Sequence, residues 1–195
     1  MRVAFGNYNA LTHRVFMKFN YFASLLWIKL AYGKRVDLRK KVCIEKNYSS
    51  IMLGKNAKLV IGNNFVSRSG LTIRISDGLL KIGNGCFFNQ FCSFNVMKEI
   101  KIGDNCILGE DVKFYDHNHI TYDNNVPFKQ QGFCKEVITI GNNVWIGSNV
   151  IILKGVTVGN NCVIGAGCVV FRDIDDNTIL LSNGKQLKRG DKLNE

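Results

Sequence analysis

Proline and long apolar segments are scarce in this sequence. Pro127 is the only proline among 195 residues, whereas 19 residues are glycine. Because glycine permits tight backbone corners, this composition predicts many regular turns rather than irregular loops. The longest uncharged run near the N-terminus, Phe19–Ile28, is too short to cross a bilayer, and Arg14 and Lys18 lie inside the surrounding pattern. We therefore expect neither a membrane-spanning segment nor a secretion signal.

Cysteine pairs with metal-binding spacing are also missing. The sequence has seven cysteines and three histidines but no C-x-x-C motif, so we expect no bound metal. An oxidising compartment would endanger seven thiols, which favours a cytoplasmic location. We interpret the cysteines as reduced core residues, because four of them occupy equivalent positions of the repeat described below. These four are Cys86, Cys106, Cys162 and Cys168.

Positive charge is concentrated at one end of the chain. The formal net charge is +11, and residues 1–60 contribute +10 of it, from twelve Lys or Arg against Asp37 and Glu45. No nucleic-acid-binding motif accompanies this charge. We therefore expect no nucleic-acid partner.

An amphipathic helix is predicted in the basic N-terminal segment 1–41. Within residues 10–32, apolar side chains recur at steps of three and four. They are Val15, Phe16, Phe19, Phe22, Ala23, Leu26, Trp27 and Leu30. Two roles are open for this helix. It caps the end of the fold predicted below, or it binds peripherally to the anionic inner face of a membrane, within reach of a lipid-linked glycan.

A repeat of six residues dominates the rest of the chain. Aliphatic residues recur without a miss at Ile140, Ile146, Ile152, Val158, Ile164 and Val170. On an α-helix these positions would point in different directions, and a flat sheet would need a period of two. A solenoid with three short strands per coil satisfies the period, since every sixth residue then points inward. We predict this mainly β domain over residues 42–181, followed by a basic tail over 182–195.

The repeat is interrupted once, by a segment of about residues 115–139. This segment contains His117, His119 and Pro127 and has no six-residue pattern. A solenoid wall needs no such excursion, and long loops on rigid scaffolds often carry function. We therefore expect the catalytic residues here.

Residues 140–170, with their VWIG and GAG segments, and the DHNH sequence at 116–119 resemble the hexapeptide-repeat acyltransferases. The similarity is to the sugar O-acetyltransferase branch, which includes maltose, galactoside, Nod-factor, capsule and O-antigen enzymes. It implies a left-handed parallel β-helix, a homotrimer with active sites between subunits, acetyl-CoA as cosubstrate and a carbohydrate acceptor.

The resemblance also implies roles for individual residues. His117 takes the position of the general base, with His119 as its competitor; we expect these two side chains to project in different directions. Asp116 either orients the imidazole, binds the sugar or shapes the loop. Asn89 resembles the asparagine that binds the acceptor, although a solvated corner residue has the same pattern.

Donor binding is implied for a second group of residues. A backbone N–H near Gly147 and Ser148 would stabilise the oxyanion, and Ser148 would stack on Ala166 one coil of eighteen residues later, leaving room for pantetheine. Trp145 either faces the cleft or is buried between subunits. Positive side chains suited to coenzyme A phosphates follow: Arg172, Lys185, Lys188 and Arg189.

The function these features favour is acetyl transfer from acetyl-CoA to a carbohydrate hydroxyl in surface polysaccharide biosynthesis. Two alternatives are an N-acetyltransferase of an amino sugar or xenobiotic, and a non-catalytic trimeric scaffold. A scaffold would have no reason to hold a histidine loop. The related γ-class carbonic anhydrases need three metal-binding histidines on successive coils, which this sequence does not supply.

Overall fold

The computed structural model describes residues 25–190 and shows a parallel β-solenoid of six coils. Helix α1 covers residues 25–32 and is followed by a 3-10 turn, Gly33–Arg35. Sheet A contains β1 (Val36–Leu38), β4 (Lys58–Ile61), β7 (Leu79–Ile82), β10 (Glu99–Ile102), β15 (Ile138–Ile140) and β18 (Thr157–Val158). Sheet B contains β2 (Cys43–Ile44), β5 (Val66–Ser67), β8 (Phe87–Phe88), β11 (Ile107–Leu108), β16 (Trp145–Ile146), β19 (Val163–Ile164), β21 (Thr178–Leu180) and β22 (Gln186–Lys188). Sheet C contains β3 (Ser50–Leu53), β6 (Thr72–Ile75), β9 (Ser93–Val96), β12 (Lys113–Tyr115), β17 (Ile151–Leu153) and β20 (Val169–Val170).

The strand register confirms the predicted period. Ile140 pairs with Val158 in sheet A, Ile146 with Ile164 in sheet B, and Ile152 with Val170 in sheet C. Each pair is eighteen residues apart, and all six side chains are buried. Three hexapeptides therefore complete one coil, and each coil pairs in parallel with the next.

The earlier coils have an aromatic interior. Phe65, Phe88, Phe94 and Phe114 are fully buried. The rings of Phe94 and Phe114 are stacked with centroids 4.7 Å apart, and Phe88 lies 5.4 Å from Phe94. Stacked contacts of this kind add to the free energy gained by burying apolar surface, so each coil is stabilised by its neighbours.

A ladder of asparagine and aspartate side chains runs along the corner between sheets A and B. At each step the backbone N–H of one residue donates to the side-chain oxygen of the next, as from Asn84 to Asp104 (2.7 Å) and from Asp104 to Asn142 (2.8 Å). The members are Asn63, Asn84, Asp104, Asn142, Asn160 and Asp176. These bonds satisfy corner N–H groups that the strands leave unpaired.

Both ends of the solenoid extend beyond the predicted domain limits. Strand β1 begins at Val36, six residues before the predicted start, because Val36 pairs with Leu59. Strand β22 in the predicted tail pairs antiparallel with β21. Ile28 of α1 is 3% exposed and packs on the core. The remainder of the predicted helix, residues 10–24, lies outside the described residues.

No helix in the described range 25–190 is long and apolar enough to span a membrane.

Candidate active site

A two-stranded ribbon leaves the solenoid after β12. Strand β13 (His117–His119) pairs antiparallel with β14 (Phe133–Lys135), and a short helix, α2 (Phe128–Gln131), lies in the connection. The chain rejoins sheet A at Ile138. The ribbon corresponds to the predicted interruption of the repeat.

Asp116 anchors this ribbon to the solenoid. Its side chain is fully buried, and its carboxylate accepts hydrogen bonds from the backbone N–H groups of Met97 (2.9 and 3.0 Å) and Lys98 (2.7 Å) in the preceding coil. The Oδ1 atom also lies 2.9 Å from His117 Nδ1. Since a carboxylate only accepts hydrogen bonds, Nδ1 of the neutral imidazole carries the proton and Nε2 is left as an acceptor.

Both ribbon histidines contact Phe133. The ring of His117 meets it edge-on at 5.4 Å, and the ring of His119 lies 4.4 Å from it with a tilt of 40°. The prediction that the two histidines project in different directions is therefore wrong. Alternate residues of a strand face the same side, and His117 and His119 are alternate residues of β13.

A groove with a volume of about 400 Å³ lies over sheet B. Five predicted site residues line it: Asn89, Trp145, Gly147, Ser148 and Ala166. Gly147 stacks on Ala166 so closely that a Cβ atom at Gly147 would lie 2.6 Å from the Ala166 nitrogen. Only glycine leaves this space.

At the predicted oxyanion site, the backbone N–H groups of Gly147 and Ser148 differ in their partners. Gly147 N–H donates to the carbonyl oxygen of Ile164 (2.8 Å) as part of the solenoid. Glu110 is the equivalent of Ser148 one coil earlier, and its backbone N–H donates to the Ser148 side chain. Ala166 is the equivalent of Ser148 one coil later, but its side chain has no acceptor for the Ser148 N–H. Among the described residues, Ser148 N–H therefore remains available for a ligand.

Glu110 is a groove residue that the sequence analysis missed. Its Oε2 accepts from Ser148 Oγ (2.6 Å), and its Oε1 accepts from Asn89 Nδ2. The hydrogen bond from Ser148 lowers the pKa of Glu110, with the charge of Arg68 and the bond from Asn89 acting in the same direction. Its position in the repeat could have indicated this role, because Glu110 follows Leu108-Gly109 as Ser148 follows Ile146-Gly147.

Trp145 belongs to an apolar row on the outer surface of sheet B. Its side chain is 56% exposed, and it pairs with Ile107 (49% exposed) and Val163. The matching outer row of sheet A is polar, with Lys101 and Thr139 at equivalent places. The two sheets therefore differ in what they present to a neighbouring molecule.

The predicted phosphate-binding residues are not all together. Arg172 lines a second cavity, of about 220 Å³, with Gly184 and Gln186, which flank the exposed Lys185. Arg189 lies at another corner, where its guanidinium donates to the Asn161 carbonyl (3.4 Å). The segment that contains Lys185 thus borders the same cavity as Arg172, whereas Arg189 lies elsewhere.

His117 is not among the residues that line the sheet B groove. It follows the carboxyl end of β12, at the corner between sheets C and A, whereas Ser148 lies at the corner between sheets B and C. A single chain therefore holds the candidate base and the candidate donor groove on different sides of the coil.

Comparison with known proteins identifies the class. A sequence profile described as bacterial transferase hexapeptide (six repeats) matches residues 138–172. The chain belongs to this hexapeptide-repeat family, whose stacked-coil architecture it shares.

Individual proteins of known name are also similar to this chain. The chain is 29% identical to the polysialic acid O-acetyltransferase of Neisseria meningitidis over 54% of its own length and 56% of that protein. It is 31% identical to the solved maltose O-acetyltransferase of Clostridium difficile, over 69% and 68% of the two chains, with a TM-score of 0.50. A variant of an N-acyltransferase from Bacillus cereus, solved with dTDP and coenzyme A, shares the fold at 19% identity, over 87% and 90% of the chains, with a TM-score of 0.72. The chain spans about half the length of the curated relatives it matches.

Proposed function

We propose that this protein is an acetyl-CoA-dependent O-acetyltransferase that acts on a carbohydrate hydroxyl, in the synthesis of a surface polysaccharide. The observation that carries the proposal is the hydrogen bond between His117 Nδ1 and the buried carboxylate of Asp116 (2.9 Å). It leaves Nε2 as a base on a ribbon extruded from a hexapeptide solenoid. The similar proteins named for polysialic acid and maltose support a carbohydrate acceptor.

The proposed reaction is direct transfer. His117 Nε2 accepts the proton of the acceptor hydroxyl while the oxygen attacks the thioester carbonyl carbon. Asp116 holds the imidazole tautomer and stabilises the imidazolium that forms. Ser148 N–H donates to the developing oxyanion. When the carbon–sulfur bond breaks, the imidazolium returns its proton to the sulfur, so that the products are the acetyl ester and coenzyme A.

Donor binding is proposed along the sheet B groove. Pantetheine would pass over Ala166 and Gly147, where the absence of large side chains exposes backbone. Arg172 and Lys185 would bind phosphate beyond the end of this groove, with Arg189 as the alternative. Asn89 lines the opposite end of this groove, so we propose that it contacts coenzyme A in place of the acceptor contact that the resemblance implies.

We further propose that the active protein is a homotrimer. A single chain separates His117 from the groove, and the apolar row that includes Trp145 and Ile107 would be covered by a neighbouring subunit. A neighbour's ribbon would then supply the base. Light scattering checks the mass, and mixing His117→Ala subunits with Ala166→Phe subunits, whose groove is blocked, should restore part of the activity if each site takes residues from two chains.

Peripheral membrane association is proposed for the N-terminal end. On α1, Ile28 is buried, but Leu26 (48% exposed) and Leu30 (77% exposed) face outward beside the exposed Lys29 and Lys34. Apolar side chains flanked by lysines suit an anionic lipid surface. Sedimentation with anionic vesicles should decrease in a Leu26→Asp, Leu30→Asp double variant, and neutral vesicles serve as the control. Equal sedimentation of both proteins would contradict this part of the proposal.

The central experiment is acceptor-dependent release of coenzyme A thiol, measured with a panel of sugars and polysaccharides. Release should require an acceptor and should be lost in His117→Ala. An O-acetyl product is removed by mild alkali, whereas an N-acetyl product survives and would favour the amino-sugar alternative. If the protein binds acetyl-CoA but no carbohydrate in the panel causes release of the thiol, the proposed activity is wrong and a scaffold is favoured.

A further inference from the structure

The carboxylate of Glu110 joins the two polar side chains at the rim of the sheet B groove. Ser148 Oγ donates to Oε2 at 2.6 Å, and Asn89 Nδ2 donates to Oε1. These three residues come from three successive coils. One carboxylate thus controls how both neighbours use their remaining hydrogen-bonding atoms.

Ser148 is left as an acceptor. A hydroxyl has one hydrogen to donate and two lone pairs. The hydrogen goes to Glu110, and one lone pair accepts from the Glu110 backbone N–H (3.2 Å). Only the second lone pair is available to a ligand in the groove.

Asn89 is left as a donor. Because a carboxylate only accepts, the amide nitrogen of Asn89 must face Glu110. The amide oxygen accepts from the guanidinium of Arg68 (3.3 Å) and from the backbone N–H of Gln90 (3.0 Å). The second amide hydrogen is therefore the group that Asn89 offers to a ligand.

Glu110 is held in its ionised form at neutral pH. The hydrogen bond from Ser148 lowers its pKa most, and the charge of Arg68 lowers it further. An ionised carboxylate with a lowered pKa is a poor proton-transfer group. Its contribution is to bind and orient rather than to exchange protons.

We propose that Glu110 is a positioning residue that fixes the hydrogen-bond polarity of the groove, with Ser148 as acceptor and Asn89 as donor. The ligand that matches is a chain with both amide N–H and amide carbonyl groups, as in the pantetheine arm of coenzyme A. This assignment rests on the proposed function, because it takes the groove as the donor site.

The test measures the affinity of coenzyme A by calorimetry, without any acceptor. Glu110→Gln keeps the size of the side chain but presents one donor and one acceptor, so it cannot accept from Ser148 and Asn89 together, and the hydrogen-bond polarity of one of the two is disturbed. Coenzyme A should bind about tenfold more weakly. Glu99→Gln, on sheet A and paired with Lys101 (2.9 Å), is the matched control and should bind normally.

A double-mutant cycle separates positioning from general damage. In a Ser148→Ala background, Glu110→Gln should weaken binding by no more than about threefold, since Ser148 no longer responds to it. The KM for acetyl-CoA should rise with little change in kcat, and the melting temperature should stay that of the unmodified protein.

Three results would count against the inference in different ways. Unchanged binding by Glu110→Gln, or fully multiplicative effects in the cycle, would overturn the positioning role while leaving the proposed function intact. No binding of coenzyme A by the unmodified protein would overturn the donor site and the proposed function with it. Normal binding without acetyl transfer would overturn only the proposed reaction.

Discussion

The coils and the ribbon of this protein are stabilised in different ways. In the coils, each buried side chain has an equivalent above and below it, as Ile146 has in Leu108 and Ile164. The ribbon has no such stack. It is joined to the solenoid by Asp116, whose carboxylate binds the backbone of the preceding coil.

This difference separates stability from chemistry. A solenoid sums many similar contacts between neighbouring coils, so the loss of one inward residue should lower the free energy of unfolding and leave the site chemistry in place. A residue on the ribbon contributes little to the stack. Changes in the ribbon should therefore affect activity at nearly constant stability.

The largest expected effect is that of His117→Ala on turnover. Losing a general base should lower kcat by about 10² to 10⁴, while the melting temperature and coenzyme A binding stay unchanged. His119→Ala is the matched control. It removes a ring that touches the same Phe133 and should have a much smaller effect. Collapse of activity in His119→Ala with near-normal His117→Ala would transfer the role of the base to His119.

Phe94→Ala tests how much the stacked interior of the coils contributes to stability. Phe94 is fully buried between Phe88 and Phe114, so its truncation should cost about 3–5 kcal/mol of unfolding free energy. Denaturant unfolding measures this. Phe91→Ala, at a corner residue that is 52% exposed, is the control and should cost far less. Equal losses would mean that the aromatic stack is not a main source of stability.

The fold was predictable to the extent that the repeat constrained it. A period of six left one geometry for Ile140 to Val170, and the register follows from it. The start of the solenoid was less accessible, because Val36 precedes any complete hexapeptide and is placed by its partner Leu59.

The candidate site was predictable only in part. Ser148 and Ala166 stack as a consequence of the period. The partners of Asp116 are backbone N–H groups of Met97 and Lys98, and no side-chain pattern in a sequence records which backbone groups are unpaired. That His117 and His119 face the same side could have been predicted, because alternate residues of a strand point to one side.

The buried cysteines should make the stability of the coils depend on pH. Burial raises the pKa of the Cys92 thiol to about 12, above its ordinary value of 9.0. A raised pKa in the folded state means that the unfolded chain ionises first, so the stabilisation is complete below pH 9 and decreases as the pH rises above it. Melting temperatures from pH 7 to 10 should fall less steeply in Cys92→Ala.

Thiol titration checks the state of the same residues. All seven cysteines are free, five of them buried; Cys43 and Cys134 are only half-buried. A thiol reagent should modify these two first in the folded protein and all seven after denaturation. Fewer than seven thiols in the denatured protein, or bound zinc on metal analysis, would contradict the prediction of reduced, metal-free cysteines.

The smallest expected effect is a gain in stability at Ser67. This serine faces inward on β5, between Ile44 and Phe88 in the sheet B ladder, and its buried hydroxyl has no hydrogen-bond partner among the described residues. An unsatisfied buried polar group costs about 1–3 kcal/mol, and Ser67→Ala removes it with little change in volume. We expect unfolding free energy to rise by about 1 kcal/mol, which corresponds to roughly 2–4 °C in Tm for a domain of this size.

Ser49→Ala is the matched control, because the Ser49 hydroxyl donates to the Glu45 carbonyl (2.5 Å) and accepts from Leu71 N–H (3.1 Å). That variant should be less stable than the unmodified protein. If both substitutions destabilise the protein equally, the Ser67 hydroxyl has a partner in solution and its inward position is not a cost to the coil.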